Sequence, residues 1–209
     1  MRMGEAVVLV HGIWMSGIEM SLLRYRLQRC GYKTYQFHYA SLRQTPAENA
    51  VALNRFLKKI KSTQIHLLAH SLGGIVLMHL FHRFPQQKPG RVVMLSTPAK
   101  GSELARRFEA KWWLRPLLGQ SFDEGLRGDT PAWLATRELG LIVGVSPVGI
   151  LAQLTGGPLE EPSDGTVTVH EAMIEQARDQ LRLPVSHAGI LFNQRTATAV
   201  CHFLKTGKF

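Results

Sequence analysis

Short apolar runs alternate with longer stretches of helical periodicity through the first hundred residues of the chain. Four runs have the length and composition of strands, at residues 6–10, 33–38, 64–69 and 91–96. Three stretches between them have the spacing of helices, at residues 18–29, 46–60 and 72–84. A fully apolar run is typical of a parallel strand that is buried on both faces. The alternation therefore predicts a parallel sheet with helices on both sides, joined by right-handed crossovers.

The alternation stops near residue 97 and resumes near residue 139. From there on the pattern predicts strands at 139–145 and 181–185, helices at 171–180 and 190–205, and a loop rich in glycine and proline at 146–165. A chain of 209 residues has the usual length of one domain. We expect a single domain over residues 1–209, a three-layer α/β/α sandwich with a doubly wound, mainly parallel sheet, carrying an insertion at 101–140.

Ser71 lies at the junction of a predicted strand and a predicted helix, in the sequence Ala-His-Ser-Leu-Gly-Gly. So sharp a turn forces its middle residue into strained backbone angles and projects that side chain from the carboxyl edge of the sheet. The positions two before and two after must be small, and they are Ala69 and Gly73. Ser71 is therefore the candidate nucleophile, and the N–H of Leu72 is a candidate oxyanion donor. A plain helix N-cap is the alternative role for this serine.

A serine nucleophile on such a turn takes an acid and then a histidine from further along the chain. His187 follows the strand predicted at 181–185 and is the candidate base, with His170 in reserve. Asp164 lies in a tight loop beyond the strand predicted at 139–145 and is the candidate acid, although an Asx-turn also explains an aspartate there. The remaining carboxylates considered as the acid are Glu160, Glu161, Glu171, Asp179 and, on the preceding strand, Asp129.

Ordered motifs extend over nearly the whole chain. They are Val-His-Gly-Ile-Trp at 10–14, Ala-His-Ser-Leu-Gly-Gly at 69–74, Ser-Thr-Pro-Ala-Lys-Gly-Ser at 96–102, Ser-Asp-Gly-Thr-Val at 163–167 and Ser-His-Ala-Gly-Ile-Leu at 186–191. With these motifs the chain resembles the compact bacterial esterase/lipase branch of the α/β hydrolases. The small lipases of the bacilli also have alanine two residues before the serine. Several ordered matches are more specific than one turn motif.

This resemblance implies a minimal α/β-hydrolase fold with about six strands, because the strands that precede the His-Gly strand in larger relatives are missing. It also implies hydrolysis of carboxylic esters through an acyl-enzyme, without a metal or an organic cofactor. Ile13, after the first strand, would be the second oxyanion donor, and His11 would hold that loop by hydrogen bonding. A thioesterase or acyltransferase with the same triad is the alternative, and a non-catalytic binding protein of this fold is a further one.

The insertion at 101–140 is rich in aromatic and basic residues. Additions at this point form a cap over the substrate pocket in α/β hydrolases. We therefore take Trp14, Trp112 and Trp113 as candidate pocket residues. A basic, aromatic, amphipathic segment also fits contact with an anionic membrane surface, and an ordinary packed helix is the alternative.

The net charge of +10 is concentrated in the first half of the chain. Such a field favours anionic partners. No recognition helix or zinc framework accompanies it, so no nucleic-acid partner is expected. The expected partner is a small-molecule or lipid ester.

Location and cysteine chemistry give two further expectations. The apolar run after Arg2 is too short for a signal peptide, and no run reaches the roughly 18 residues of a transmembrane helix, so a cytoplasmic location is predicted. Cys30 and Cys201 are far apart in the sequence, and we expect two free thiols.

Overall fold

The fold is built on one sheet of six parallel strands. The structure, a computed structural model, describes residues 4–148, 155–159 and 162–209. The strands lie in the order β2-β1-β3-β4-β5-β6, and every neighbouring pair is parallel. Their bounds are β1 Glu5–Val10, β2 Lys33–Phe37, β3 Gln64–His70, β4 Val92–Leu95, β5 Leu139–Gly144 and β6 Asp179–Leu183. The predicted three-layer α/β fold with about six strands is therefore confirmed.

Helices cover both faces of this sheet. They are α1 Ser21–Arg29, α2 Pro46–Lys58, α3 Leu72–Arg83, α4 Glu103–Glu109, α5 Val169–Ala172, α6 Gly189–Phe192 and α7 Gln194–Thr206. The core around α2 and α3 contains Val8 and Val10, whereas the core around α1, α6 and α7 contains Val7 and Leu9. Strand β1 is apolar throughout because alternate side chains are buried on opposite faces. Within the described ranges, no helix is long and apolar enough to cross a membrane.

The prediction of a helix at 171–180 is wrong. The helical residues are Val169–Ala172, after which Met173 is extended and Ile174 enters the core. From Asp179 onwards the chain already pairs with β5. Burial of Ile174 and sheet pairing therefore override the helical propensity of this segment.

The last predicted helix is divided in two. Asn193 is extended between α6 and α7, and its side chain accepts hydrogen bonds from the N–H groups of Arg195 and Thr196. Asparagine is a strong N-cap, so it begins a new helix at this position. Part of the predicted loop at 146–165, including Glu160 and Glu161, lies outside the described residues.

The first part of the insertion covers the start of α3. We call residues 101–126 the cap segment; it contains α4 and several short helical turns. Its buried side chains form one apolar cluster with Leu72 and Ile75 of α3. The members contributed by the cap segment are Leu104, Ala105, Phe108, Leu114, Leu118, Phe122 and Leu126. The cap segment is thus packed directly over the carboxyl edge of the sheet, where Ser71 lies.

Cys30 and Cys201 form a disulfide, so the expectation of two free thiols is wrong. Cys30 follows α1 and Cys201 lies in α7, and these two helices pack on the same face of the sheet. The folded chain therefore brings together two cysteines that lie 171 residues apart in sequence, with Cα atoms 6.4 Å apart. Stable disulfides belong mainly to oxidising compartments. The bond therefore does not favour the predicted cytoplasmic location.

Removing the disulfide should destabilise the protein without changing its architecture. A native disulfide that closes a long loop restricts the unfolded chain and typically contributes about 2–4 kcal/mol. We expect the Cys30→Ser/Cys201→Ser variant to have a free energy of unfolding in urea lower by about 2–4 kcal/mol. Dithiothreitol should lower the stability of the wild type and leave that of the double variant unchanged. A wild type that unfolds identically with and without the reductant would contradict the bond.

Candidate active site

Ser71 lies on a strained turn between β3 and α3. Its φ of 53° and ψ of −125° are unusual for a residue with a side chain. A Cβ atom on Gly73 would lie 2.5 Å from the carbonyl oxygen of Val10, and one on Gly74 would overlap the side chain of Thr97. Only glycine allows α3 to approach β1 so closely. Within the described residues the Ser71 hydroxyl makes no capping hydrogen bond with α3, which does not favour the N-cap alternative.

Asp164 and His187 form a hydrogen-bonded pair beside this turn. His187 Nδ1 donates to Asp164 Oδ2 at 2.7 Å, and the His187 backbone N–H donates to the Asp164 carbonyl at 3.0 Å. Asp164 is fully buried, and His187 lines a cleft together with Ser71. A carboxylate on Nδ1 leaves Nε2 as the basic nitrogen, which is the arrangement a general base requires.

Hydrogen bonds keep the buried Asp164 ionised. Burial on its own would raise the pKa of this carboxyl group, but the charge of His187, its hydrogen bond, and the bonds from Val167 and Ser96 together lower that pKa. Oδ1 accepts the backbone N–H groups of Thr166 at 3.0 Å and Val167 at 2.8 Å. These two bonds form the Asx-turn that the sequence also predicts. The same aspartate therefore shapes its loop and orients His187.

Ser96 is a functional candidate that the sequence analysis missed. It directly follows β4 with a φ of 44°, accepts the N–H of Gly144 at 3.2 Å, and is hydrogen-bonded to Asp164. A serine directly after a buried strand was the available signal, as it was for Ser71.

His70 supports the loop that carries His187, and the sequence analysis did not identify it either. Its Nε2 lies 3.1 Å from the carbonyl oxygen of His187, and the two rings lie 4.7 Å apart. Burial, with a contribution from the charge of His187, lowers the pKa of His70 to about 3, so this ring stays neutral. A neutral ring that donates from Nε2 holds the backbone of His187 without competing for its proton.

Ile13 and Leu72, the two predicted oxyanion donors, lie beside Ser71. Leu72 is the first residue of α3, and the first N–H groups of a helix have no partner within the helix. Ile13 lies in the loop after β1 and lines both clefts beside Ser71. His11 supports this loop: its Nδ1 lies 2.8 Å from the Gly12 carbonyl oxygen, and its own carbonyl accepts the Tyr39 hydroxyl at 2.7 Å. These contacts fit the structural role expected of His11.

Two clefts meet at Ser71. We call the cleft that lies beneath the cap segment the acyl-side cleft. We call the cleft that is lined by His187 the histidine-side cleft. Trp14 lines both, and its Nε1–H donates to the carbonyl of Leu117 in the cap segment at 2.7 Å. Trp112 and Trp113 line neither cleft, and their exposed fractions are 85% and 55%. Of the three tryptophans predicted for the pocket, the structure thus brings only Trp14 to Ser71.

Within the described residues, the other candidate acids and bases line neither cleft at Ser71. Asp129 is exposed and accepts the backbone N–H of Glu124. Glu171 caps α5, and Asp179 accepts the backbone N–H of Phe209. His170, the reserve base, is exposed on α5.

Structural comparison gives the class of the fold, that of the α/β hydrolases. The mature lipase BlEst2 of Bacillus licheniformis matches with a TM-score of 0.75 and 18% identity, over 98% of this chain and 92% of that one. A putative aryl esterase of Burkholderia cenocepacia matches with a TM-score of 0.67 and 15% identity, over 97% and 90%. The metagenomic carboxyl esterase MGS0156 matches with a TM-score of 0.66 and 18% identity, over 90% and 65%. Identities this low establish the fold and not the activity.

Sequence comparison gives the family. Residues 1–124 match the family described as "Domain of unknown function (DUF7379)", and the chain belongs to that family. No curated protein matches the chain. The matched part contains Ser71 and both candidate oxyanion residues, whereas Asp164 and His187 follow it.

Replacing Asp164 by asparagine should remove most of the activity while leaving the fold intact. An amide cannot stabilise the imidazolium and favours the wrong tautomer, and such a change costs about 10⁴-fold in kcat. The measurement is the kcat for a nitrophenyl ester. Asp129→Asn is the matched control and should retain the wild-type rate, because Asp129 is exposed, accepts the backbone N–H of Glu124 and lines neither cleft at Ser71. Equal rates for the two variants would rule out Asp164 as the acid.

Proposed function

We propose that this protein hydrolyses carboxylic esters through an acyl-enzyme formed on Ser71. The observation that carries the proposal is the Asp164–His187 pair, which shares a cleft with a serine on a strained turn. The fold shared with solved esterases and lipases supports it. In this proposal Ser71 is the nucleophile, His187 is the base with Asp164 as its acid, and the N–H groups of Ile13 and Leu72 are the oxyanion donors.

The reaction follows from the positions of these groups. His187 Nε2 takes the proton of the Ser71 hydroxyl as its oxygen attacks the ester carbonyl. The negative charge that develops on the carbonyl oxygen is stabilised by the N–H groups of Ile13 and Leu72, and each such donor contributes about 10²–10³ in rate. His187 then protonates the leaving alcohol. Water, deprotonated by His187, hydrolyses the acyl-enzyme and restores Ser71.

Covalent labelling tests the nucleophile directly. A fluorophosphonate should modify the wild type at Ser71 and leave Ser71→Ala unmodified, because only an activated serine attacks the phosphorus at a useful rate. Intact mass and peptide mapping identify the site. Ser16→Ala removes an exposed serine from the loop that follows β1. It is the control and should be labelled as the wild type is. Labelling that persists in Ser71→Ala would defeat the proposed function.

We also propose that the cap segment contacts an anionic lipid surface. Trp112, Trp113 and Leu117 of the cap segment expose apolar side chains, and the same segment carries the exposed cations Arg106 and Arg115. Tryptophan and arginine are suited to the membrane interface, where an apolar surface meets anionic head groups. The net charge of +10 adds a longer-range attraction to such a surface.

Vesicle binding tests this contact independently of catalysis. The wild type should sediment with phosphatidylserine/phosphatidylcholine vesicles, and the Trp112→Ala/Trp113→Ala variant should bind at least about tenfold more weakly, because the apolar area of two indoles is lost. Leu134→Ala removes another exposed apolar side chain, outside the cap segment, and should bind as the wild type does. If the double variant binds the vesicles as tightly as the wild type does, the cap segment does not contact the lipid surface through these tryptophans.

A further inference from the structure

The two clefts at Ser71 differ in the part of an ester that each can receive. This inference rests on the proposed function. During acylation His187 protonates the oxygen of the leaving alcohol, so that oxygen must lie within hydrogen-bond reach of His187 Nε2. The alcohol therefore occupies the histidine-side cleft, which is lined by Met15, Ser186, His187 and Ala188. The acyl chain extends from the same carbonyl carbon in the other direction, beneath the cap segment.

The acyl-side cleft is apolar where an acyl chain would lie. Beyond the residues that it shares with the other cleft, its apolar lining consists of Pro98, Leu104, Ala105, Phe108, Leu118, Leu126 and Val167. Carbon chains are favoured in such a lining because the transfer of each methylene group from water to an apolar environment is favourable.

The acyl-side cleft is also small. The centre of a water-sized sphere can occupy about 40 Å³ of it, against about 310 Å³ of the histidine-side cleft. The acyl-side cleft therefore offers much less free space than the histidine-side cleft and suits the smaller of the two parts of an ester. The histidine-side cleft has room for a much larger group.

Packing holds the walls of the acyl-side cleft in place. Ser102 caps α4 through the N–H of Ala105 at 3.1 Å, and its own N–H donates to the Leu126 carbonyl at 2.8 Å. Phe108 and Leu118 are buried in the cluster that joins the cap segment to Leu72. A longer chain would have to displace side chains of a packed core, and overpacking a core is unfavourable.

We propose that this protein acts on esters of short, apolar acyl groups attached to a larger alcohol. Leu118 and Ala105 set the limit on the acyl chain. The specificity lies in the cleft beneath the cap segment and not in the oxyanion site, because every ester places the same carbonyl there.

An acyl-length series tests the proposal. The kcat/KM of the wild type is measured on the acetate, butyrate and octanoate of 4-nitrophenol, below their solubility limits. Octanoate should be hydrolysed at least about 100-fold less efficiently than butyrate, since single methylene groups in a filled pocket change specificity by about 10-fold or more. A wild type that is labelled at Ser71 and hydrolyses octanoate as efficiently as butyrate overturns the inference but leaves the proposed function standing. A wild type that is not labelled overturns both.

Two variants test which residues limit the length of the acyl chain. Leu118→Ala deepens the cleft and should raise the octanoate-to-butyrate ratio at least about tenfold. Leu57→Ala is the matched control: Leu57 is 5% exposed and Leu118 3% exposed, but Leu57 lies in α2, away from both clefts, so the ratio should not change. Ala105→Leu fills the cleft and should reduce activity on butyrate more than on acetate. If Leu118→Ala leaves the octanoate-to-butyrate ratio unchanged and Ala105→Leu leaves the butyrate-to-acetate ratio unchanged, the acyl chain does not lie beneath the cap segment.

Discussion

The close approach of α3 to the end of β1 is the contact on which the rest of the site depends. Gly73 lies against the carbonyl groups of Val10 and His11, with no space for a Cβ atom. This approach allows the chain to turn from β3 into α3 within one residue, and Ser71 has positive φ at that residue. It also brings the first N–H of α3 beside the loop that carries Ile13. One steric condition therefore places the nucleophile and both proposed oxyanion donors together.

The order of the strands supplies the remaining groups. Because β4, β5 and β6 follow β3 across the sheet, the segments at their carboxyl ends lie beside Ser71 in sequence order. Ser96 follows β4, and Asp164 and His187 lie in the segments beyond β5 and β6. Burying a carboxylate is costly unless it is hydrogen-bonded, and Asp164 meets that condition with backbone N–H groups, the Ser96 hydroxyl and His187. The cost of desolvating Asp164 is thus offset by the contacts that orient the base.

Local pattern was enough to predict the sheet and the residues nearest to its strands. The inner strands β1, β3, β4 and β5 are largely apolar on both faces. Ser71 and Leu72 lie at the junction of β3 and α3, and Ile13 lies in the loop after β1, so their positions depend on local sequence. Contacts between distant segments could not be predicted in this way. The Cys30–Cys201 bond requires that α1 and α7 share a face, and the hydrogen bond of His70 requires the His187 loop to lie over β3. The helix predicted at 171–180 was wrong for the same reason, since burial of Ile174 and pairing with β5 determine that segment.

Trp14 connects the oxyanion loop to the specificity of the site. Its ring lies between the two clefts, and its hydrogen bond to Leu117 joins the loop of Ile13 to the cap segment. The cap segment in turn has a buried side that closes the acyl-side cleft and an exposed side with Trp112 and Trp113. A short acyl group and a lipid surface are compatible on this geometry. In the two proposals the narrow cleft takes the acyl group, while a large, amphipathic alcohol in the wider cleft remains partly in the membrane interface. Taken together, the proposals therefore describe a short-chain ester of a lipid-like alcohol as the substrate.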